Sequence, residues 1–498
     1  MTDLGIAARA ATRAGYQRIG FALGPLVGLL LLLLPAPEGL SLEGWRVVAL
    51  AAWMAIWWAT EAIPVPATSL LPIIALPLLG VSGIAAATAP FANPVIFLLL
   101  GGFVIALSLE EWGLHRRIAL GVLARVGDHK LAMLAGFMGV AAFLSMWISN
   151  TATTMMMMPI ALSVAGVVGK GKAGTRDGEA FTVMLLLGIA YAASIGGMGT
   201  LIGTTTNAVA VGYLRDAFAM DLGFADWLAF GLPAVVVLVP AAWAILTLLL
   251  RWRLGPQGLA GAPDASAFIR HELALLGPMT RPEKRVAWLC CAVALLWIAR
   301  PAVNAFLGAR FLTDAGIAIL GAVALFVIPA GDKQKRDAFL LDWRATTRMN
   351  WGVLLLFGGG MSLASAVDGS GLALWLGGAL AGLTALPLPL LMLILVTLVV
   401  FLTELTSNTA TIATLMPILG ALATAGGFDP LLLAAPVAMA ASAAFMLPVA
   451  TGPNAVVFGS GHVHVPDMAK TGFWLNLAAI AGLTAIGALW VPLLLGVR

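Results

Sequence analysis

Two uncharged polar triplets carry most of the chemistry this sequence offers. Ser149-Asn150-Thr151 and Ser407-Asn408-Thr409 each sit inside a long apolar stretch. Hydroxyl and carboxamide oxygens, with the backbone carbonyls freed where a helix breaks, are hard neutral ligands. They suit a small cation such as sodium better than Mg²⁺, which gives up its water reluctantly. The same triplets hold donors: the Asn amide, the Thr hydroxyl and the N–H groups of a helix restarting at Thr151 or Thr409, all suited to an anion. A cation bound beside that anion offsets its charge where the dielectric is low. One such triplet alone reads as packing glue between membrane helices. Two copies put six polar side chains into apolar surroundings, where each needs a partner.

The duplication is extensive. FLSMWISNTATTMMMMPI (143 to 160) returns as FLTELTSNTATIATLMPI (401 to 418), with ten of the eighteen positions identical at an offset of 258. The stretch 97 to 114 aligns with 355 to 372 at the same offset, placing Gly101 and Gly102 on Gly359 and Gly360. A third match, at an offset of 247, sets GTTTN (203 to 207) against ATGPN (450 to 454). Three matches in the same order mark a duplicated unit.

Composition excludes several classes of function. The chain is 61% hydrophobic and 10% charged, against about 25% charged for soluble domains. The net charge of +4 is scattered over loops, which gives no basis for binding nucleic acid. Cys290 and Cys291 are adjacent within an apolar run, so they build neither a zinc site nor a disulfide framework. No HExxH, GxSxG or paired-Asp motif appears, and an enzyme is not expected. An anion channel would line its pore with charged or polar rings, yet the stretches around the triplets are almost uncharged.

The elements that must position the triplets are membrane helices. Eleven crossings are expected, near 20–34, 46–60, 62–81, 95–111, 180–212, 228–250, 286–306, 311–329, 350–367, 430–460 and 473–495, giving an all-α polytopic protein. Pro64, Pro66, Pro72 and Pro77 imply distortion in the third. Each SNT region is read as a re-entrant hairpin, with two full helices as the open alternative, and Gly/Thr/Pro-rich SIGGMGTLIGTTTN and ATGPN are read as broken helices. Placing the N-terminus in the cytoplasm and the C-terminus in the periplasm puts all but five of the 27 Lys and Arg residues on inner loops. The five are Arg46, Arg215, Arg300, Arg310 and Arg498. An odd number of crossings between the copies makes the repeats inverted, the sequence mark of a secondary transporter with a midplane site. Region 251–285 is read as a hydrophilic separator, Met155 to Met158 as packing or lipid-facing surface, and His462 and His464 as loop residues. Glu404 is read either as a proton-sensing group or as a buried, hydrogen-bonded scaffold residue.

From about residue 45 onward the chain resembles the divalent anion/sodium symporter family. The resemblance rests on WWATEAIPVPATSLLPIIALPLLGV (57 to 81), LLLGGFVIAL, LPVATGPNAVVFG and the paired SNT motifs. It implies a homodimer of eleven-span protomers in the inner membrane, each an elevator with a scaffold domain and a transport domain. The corresponding boundaries are 1–94 (scaffold), 95–227 (first repeat), 228–348 (scaffold and cytoplasmic arm) and 349–498 (second repeat). Carried over by motif, one sodium site uses Ser145, Ser149, Asn150 and the backbone near Gly203. The other uses Thr403, Thr406, Asn408 and the backbone near Ala450. Substrate carboxylates meet Asn150, Thr151, Asn408 and Thr409, with Thr204 and Gly452 lining the pocket. The implied function is sodium-coupled symport of C4-dicarboxylates such as succinate, malate or fumarate, with sodium as coupling ion and no other cofactor. Alternatives are symport of sulfate or another divalent anion, dicarboxylate exchange, and a proton-coupled carrier acting through Glu404. Two departures stand out. The family carries a proline pair before the asparagine of each broken helix, where this chain has Thr205-Thr206 and Gly452-Pro453.

Overall fold

The computed structural model describes residues 15–169, 176–254, 263–308, 311–332 and 338–496. Arg9, Arg13, Lys170, Lys172, Lys333, Lys335 and Arg336 of the inner-loop count, with Arg310 and Arg498 of the outer five, lie outside them. Apart from one isolated bridge between Pro329 and Phe339, the regular elements among the described residues are helical. Nine of these helices are long and apolar enough to cross a membrane, from Gly15–Leu33 to Val465–Leu495. Shorter apolar helices, Val65–Leu78, Lys130–Ser145, Asp314–Val327, Leu388–Thr403 and Pro430–Ala440, fill the spaces between them.

Several expected spans are interrupted. The proline-rich stretch 62–81 forms two short helices, Val65–Thr68 and Leu71–Leu78. Pro66 and Pro72 sit in their first turns, where a missing N–H is harmless. The run 180–212 splits into Arg176–Gly197 and Thr205–Phe218. The run 430–460 splits into Pro430–Ala440 and Gly452–Gly459. Region 251–285 is more than a separator. It contains helix Pro263–Leu275, packed against Asn150–Gly169 and Leu114–Leu123. Arg116 pairs with Glu272 at 3.0 Å, and Arg117 pairs with Glu283 at 2.8 Å while also bonding the carbonyls of Leu276 and Gly277. The two arginines thus anchor this segment.

The duplicated glycines show how the halves fit together. A Cβ on Gly101 would lie 2.5 Å from the backbone of Ala318, and one on Gly359 would lie 2.0 Å from the Ser69 carbonyl. Only glycine permits either approach. Helix Pro94–Glu111 therefore packs closely on Asp314–Val327, and helix Trp351–Gly369 on the turn at Ser69 between Val65–Thr68 and Leu71–Leu78.

Candidate functional site

Both SNT triplets form the tips of helical hairpins. Helix Lys130–Ser145 ends, the chain turns through 146–149, and helix Asn150–Gly169 begins. The second hairpin joins Leu388–Thr403 to Asn408–Gly426. Each helix therefore restarts at the asparagine, one residue before the expected threonine. Ser149 caps the first restart, its Oγ accepting from Ala152 N–H at 3.2 Å. Ser407 makes no such side-chain bond, which leaves the first N–H groups of the second tip uncapped by it.

The asparagines are the most informative atoms. Asn150 Oδ1 faces Ser145 Oγ and the carbonyl oxygens of Gly203 and Ala193, all acceptors apart from the serine hydroxyl. With the amide turned, its nitrogen donates to those three oxygens, with both carbonyls at 3.3 Å. Asn408 Oδ1 is out of solvent contact and has no hydrogen-bond partner. Around it, Thr406 Oγ1 lies 2.8 Å from Thr411 Oγ1 and bonds the Leu402 carbonyl, while Thr403 donates to the carbonyls of Val399 and Val400.

The breaks are held open by side chains. Asn207 Nδ2 donates to the carbonyls of Gly197, Met198 and Thr200 at 3.1, 3.3 and 2.8 Å. Its counterpart at the 247 offset, Asn454, donates to those of Ala444 and Leu447 at 3.3 and 3.0 Å. Thr200 Oγ1 ties the first break to the first hairpin by donating to the Met146 carbonyl at 2.6 Å. Glu404 does the equivalent for the second. Its Oε1 accepts from the N–H groups of Phe445 and Met446 and from Asn476 Nδ2, and its Oε2 accepts from Leu447 N–H. At 4% exposure, with four N–H donors on its carboxylate, Glu404 is the structural acceptor of the second break.

Tips and breaks line one cavity of about 1210 Å³. It brings together Ser149, Asn150, Thr151, Gly203, Thr204, Thr406, Asn408, Thr409, Ala450 and Gly452. Of the expected residues only Ser145 and Thr403 lie behind its wall, both fully buried. Thr205 Oγ1 meets Thr409 Oγ1 at 2.5 Å. A Cβ on Gly452 would lie 2.0 Å from Thr151 Oγ1. Thr205 and Gly452 are counterparts at the 247 offset, so each tip rests on the broken helix of the opposite repeat. Thr205 faces the cavity too, as do Ser194 and Ser442, which were not singled out from sequence. The repeat offset could have found Asn207 and Asn454. Nothing local to residue 404 announces the three N–H groups it serves, forty-one to forty-three residues away.

The sodium:sulfate symporter transmembrane region matches residues 21–497. The chain belongs to this family. It is the divalent anion/sodium symporter family of the sequence resemblance. Within it, the chain is 41% identical over 485 residues to the sodium-dependent dicarboxylate transporter SdcS of Staphylococcus aureus strain bovine RF122 / ET3-1, covering 97% of this chain and 92% of that protein. The SdcS protein of strain USA300 matches to the same extent. Among solved structures, the YdaH transporter of Alcanivorax borkumensis superposes with a TM-score of 0.57 at 15% identity, over 96% of this chain and 97% of that one. MtrF of Neisseria gonorrhoeae, from a class of antimetabolite efflux pumps, superposes with a TM-score of 0.56 at 14% identity, over 94% of each chain. At that identity the likeness to YdaH and MtrF is one of fold. This symporter-family chain is thus an all-α polytopic membrane protein, and its candidate site is a two-tipped cavity of neutral oxygens.

Proposed function

We propose that this protein is a secondary active transporter coupling sodium to symport of C4-dicarboxylates such as succinate, malate and fumarate across the inner membrane. The observation that carries the reading is the meeting of both SNT tips on one cavity, where Asn408 Oδ1 is out of solvent contact with no hydrogen-bond partner. A buried oxygen left without a donor is completed by a cation. Ser145, Ser149, Asn150 and the Gly203 carbonyl hold one sodium in this scheme. Thr403, Thr406, Asn408 and the Ala450 backbone hold the other. Asn150, Thr151, Thr204, Asn408, Thr409 and Gly452 then face a dianion whose charge the two ions balance. The identity to SdcS supports a dicarboxylate over sulfate.

The swapped contacts of the tips support a twofold relation between the repeats, and an odd number of crossings between them makes the axis lie in the membrane plane. On that topology the hairpins re-enter, the N-terminus is cytoplasmic and the C-terminus periplasmic. Tyr16, Glu110 and Arg348 at the cavity then mark its opening toward the cytoplasm. Elevator movement of 95–227 and 349–498 against 1–94 and 228–348, in a homodimer, completes the proposal. Coupling is required because an inside-negative potential opposes anion import by about 2.3 kcal/mol per charge per 100 mV.

The test is uptake of labelled succinate and sulfate into proteoliposomes under imposed sodium, proton or potassium gradients. Sodium-driven succinate uptake is expected, lost in Asn150→Ala and Asn408→Ala proteins that remain folded. Normal uptake in both variants rejects the site; uptake driven by protons alone rejects the coupling.

A further inference from the structure

At the first residue of each broken helix this chain departs from the family's proline in opposite ways. Thr205 adds a hydroxyl at one tip, and its counterpart Gly452 removes a side chain at the other. The backbone does not call for threonine at 205. Thr204 is extended (φ −140°, ψ 147°) and Thr205 opens helix Thr205–Phe218, a setting in which proline is at home. What sets threonine apart there is the contact its hydroxyl makes. Thr205 Oγ1 lies 2.5 Å from Thr409 Oγ1, at the short end of the range for hydroxyl pairs. Both residues line the cavity. Among the described residues neither hydroxyl has another hydrogen-bond partner. Each carries one hydrogen and two lone pairs. One hydrogen fills the gap between the two oxygens, and the other is left for the cavity. An O–H whose oxygen already accepts a bond is the stronger donor, and its direction is fixed by that bond.

We propose that Thr205 is a positioning residue for the substrate: its hydroxyl donates to Thr409 Oγ1 and so aims Thr409 O–H at one carboxylate of the bound dianion. The proposal rests on the dicarboxylate reading above, in which Thr409 meets that carboxylate, and adds a residue to it. A carboxylate only accepts, so the aimed hydrogen meets it without first having to turn. Thr205 and Thr409 belong to different repeats, so the aimed donor exists only while the second tip is seated on the first broken helix. At the other tip Thr151 faces Gly452, and its hydroxyl has no hydrogen-bond partner among the described residues. The two ends of the dianion are thus met differently, by an aimed hydroxyl at Thr409 and an unaimed one at Thr151.

The test is a cycle of Thr205→Val, Thr409→Val and the double variant, with Thr205→Ser as the exchange that keeps the oxygen. It is read by sodium-driven succinate uptake in proteoliposomes and by labelled sodium bound to purified protein without succinate. Thr205→Val is expected to raise the KM for succinate roughly 2- to 13-fold, the worth of one hydrogen bond. The maximal rate and sodium binding should keep the parent's values. Thr409→Val should raise KM further, and adding Thr205→Val to it should change nothing more, because the hydroxyl that Thr205 aims is gone. Thr205→Ser should keep the parent's KM. An unchanged KM in Thr205→Val overturns the proposal. So do losses that multiply in the double variant, a Thr205→Ser protein as weak as Thr205→Val, or a fall in sodium binding, each of which marks a packing role. Failure of the proposed function looks different: the parent then shows no sodium-driven succinate uptake. The same cycle, read on the succinate or sulfate it takes up under another gradient, still decides the pair, and a parent that takes up neither overturns both.

Discussion

Replacing Glu404 with Gln separates a structural carboxylate from a proton carrier. In the parent, Oε1 receives Phe445 N–H at 2.8 Å, Met446 N–H at 2.9 Å and Asn476 Nδ2 at 2.8 Å, and Oε2 receives Leu447 N–H at 3.0 Å. Gln supplies one oxygen, which the three donors at Oε1 retain. Those bonds weaken when the charge is removed, while the desolvation of a buried carboxylate is relieved; the two effects oppose each other and are of similar size. What does not cancel is Leu447 N–H, now facing an NH₂ group. An orphaned buried donor costs about 1–3 kcal/mol, or roughly 5- to 150-fold in the balance between an ordered and a disordered break. Thermal unfolding of the purified protein should show this loss. Uptake should fall with it, because Ala450 and Gly452 lie just beyond the residues Glu404 holds. Residual uptake should keep the parent's pH profile. A Gln variant as stable as the parent, altered only in the pH dependence of transport, would refute this role and return Glu404 to proton coupling.

Other perturbations follow from the same contacts. Gly452→Ala places a methyl 2.0 Å from Thr151 Oγ1; overpacking of about 1–3 kcal/mol should raise the KM for succinate, and an unchanged KM would mean Thr151 swings freely. Asn207→Ala removes three hydrogen bonds and Asn454→Ala two. At about 1 kcal/mol each, the first should lower the thermal midpoint further, and the reverse order would show that the breaks are held by other means.

The repeat offsets made much of this architecture readable. Ser149 to Thr151 and Ser407 to Thr409 recur in register because both occupy hairpin tips, and Gly101 and Gly359 recur because both lie under a crossing backbone. The broken helices were legible from their Gly, Thr and Pro residues, but the bounds of each break were harder to read. Apolar residues run through both 198–204 and 441–451, so hydropathy alone joins each break to its flanking helices. The groups that open them, Asn207, Asn454 and Glu404, act through backbone atoms whose availability depends on the break itself. Helix Pro263–Leu275 was hidden for another reason. Its polar composition resembles a loop, and it is fixed in part by Arg116, from a segment far away in the chain.

The reciprocal seating of the tips has a consequence for biosynthesis. Thr151 must wait for Gly452, a residue three hundred positions later, before its hairpin has a surface to rest on. On the proposed re-entrant topology, a nascent chain halfway through insertion carries an unlatched polar loop inside the bilayer. Severing the gene between the halves should yield two fragments that are unstable apart and rescue each other when made together.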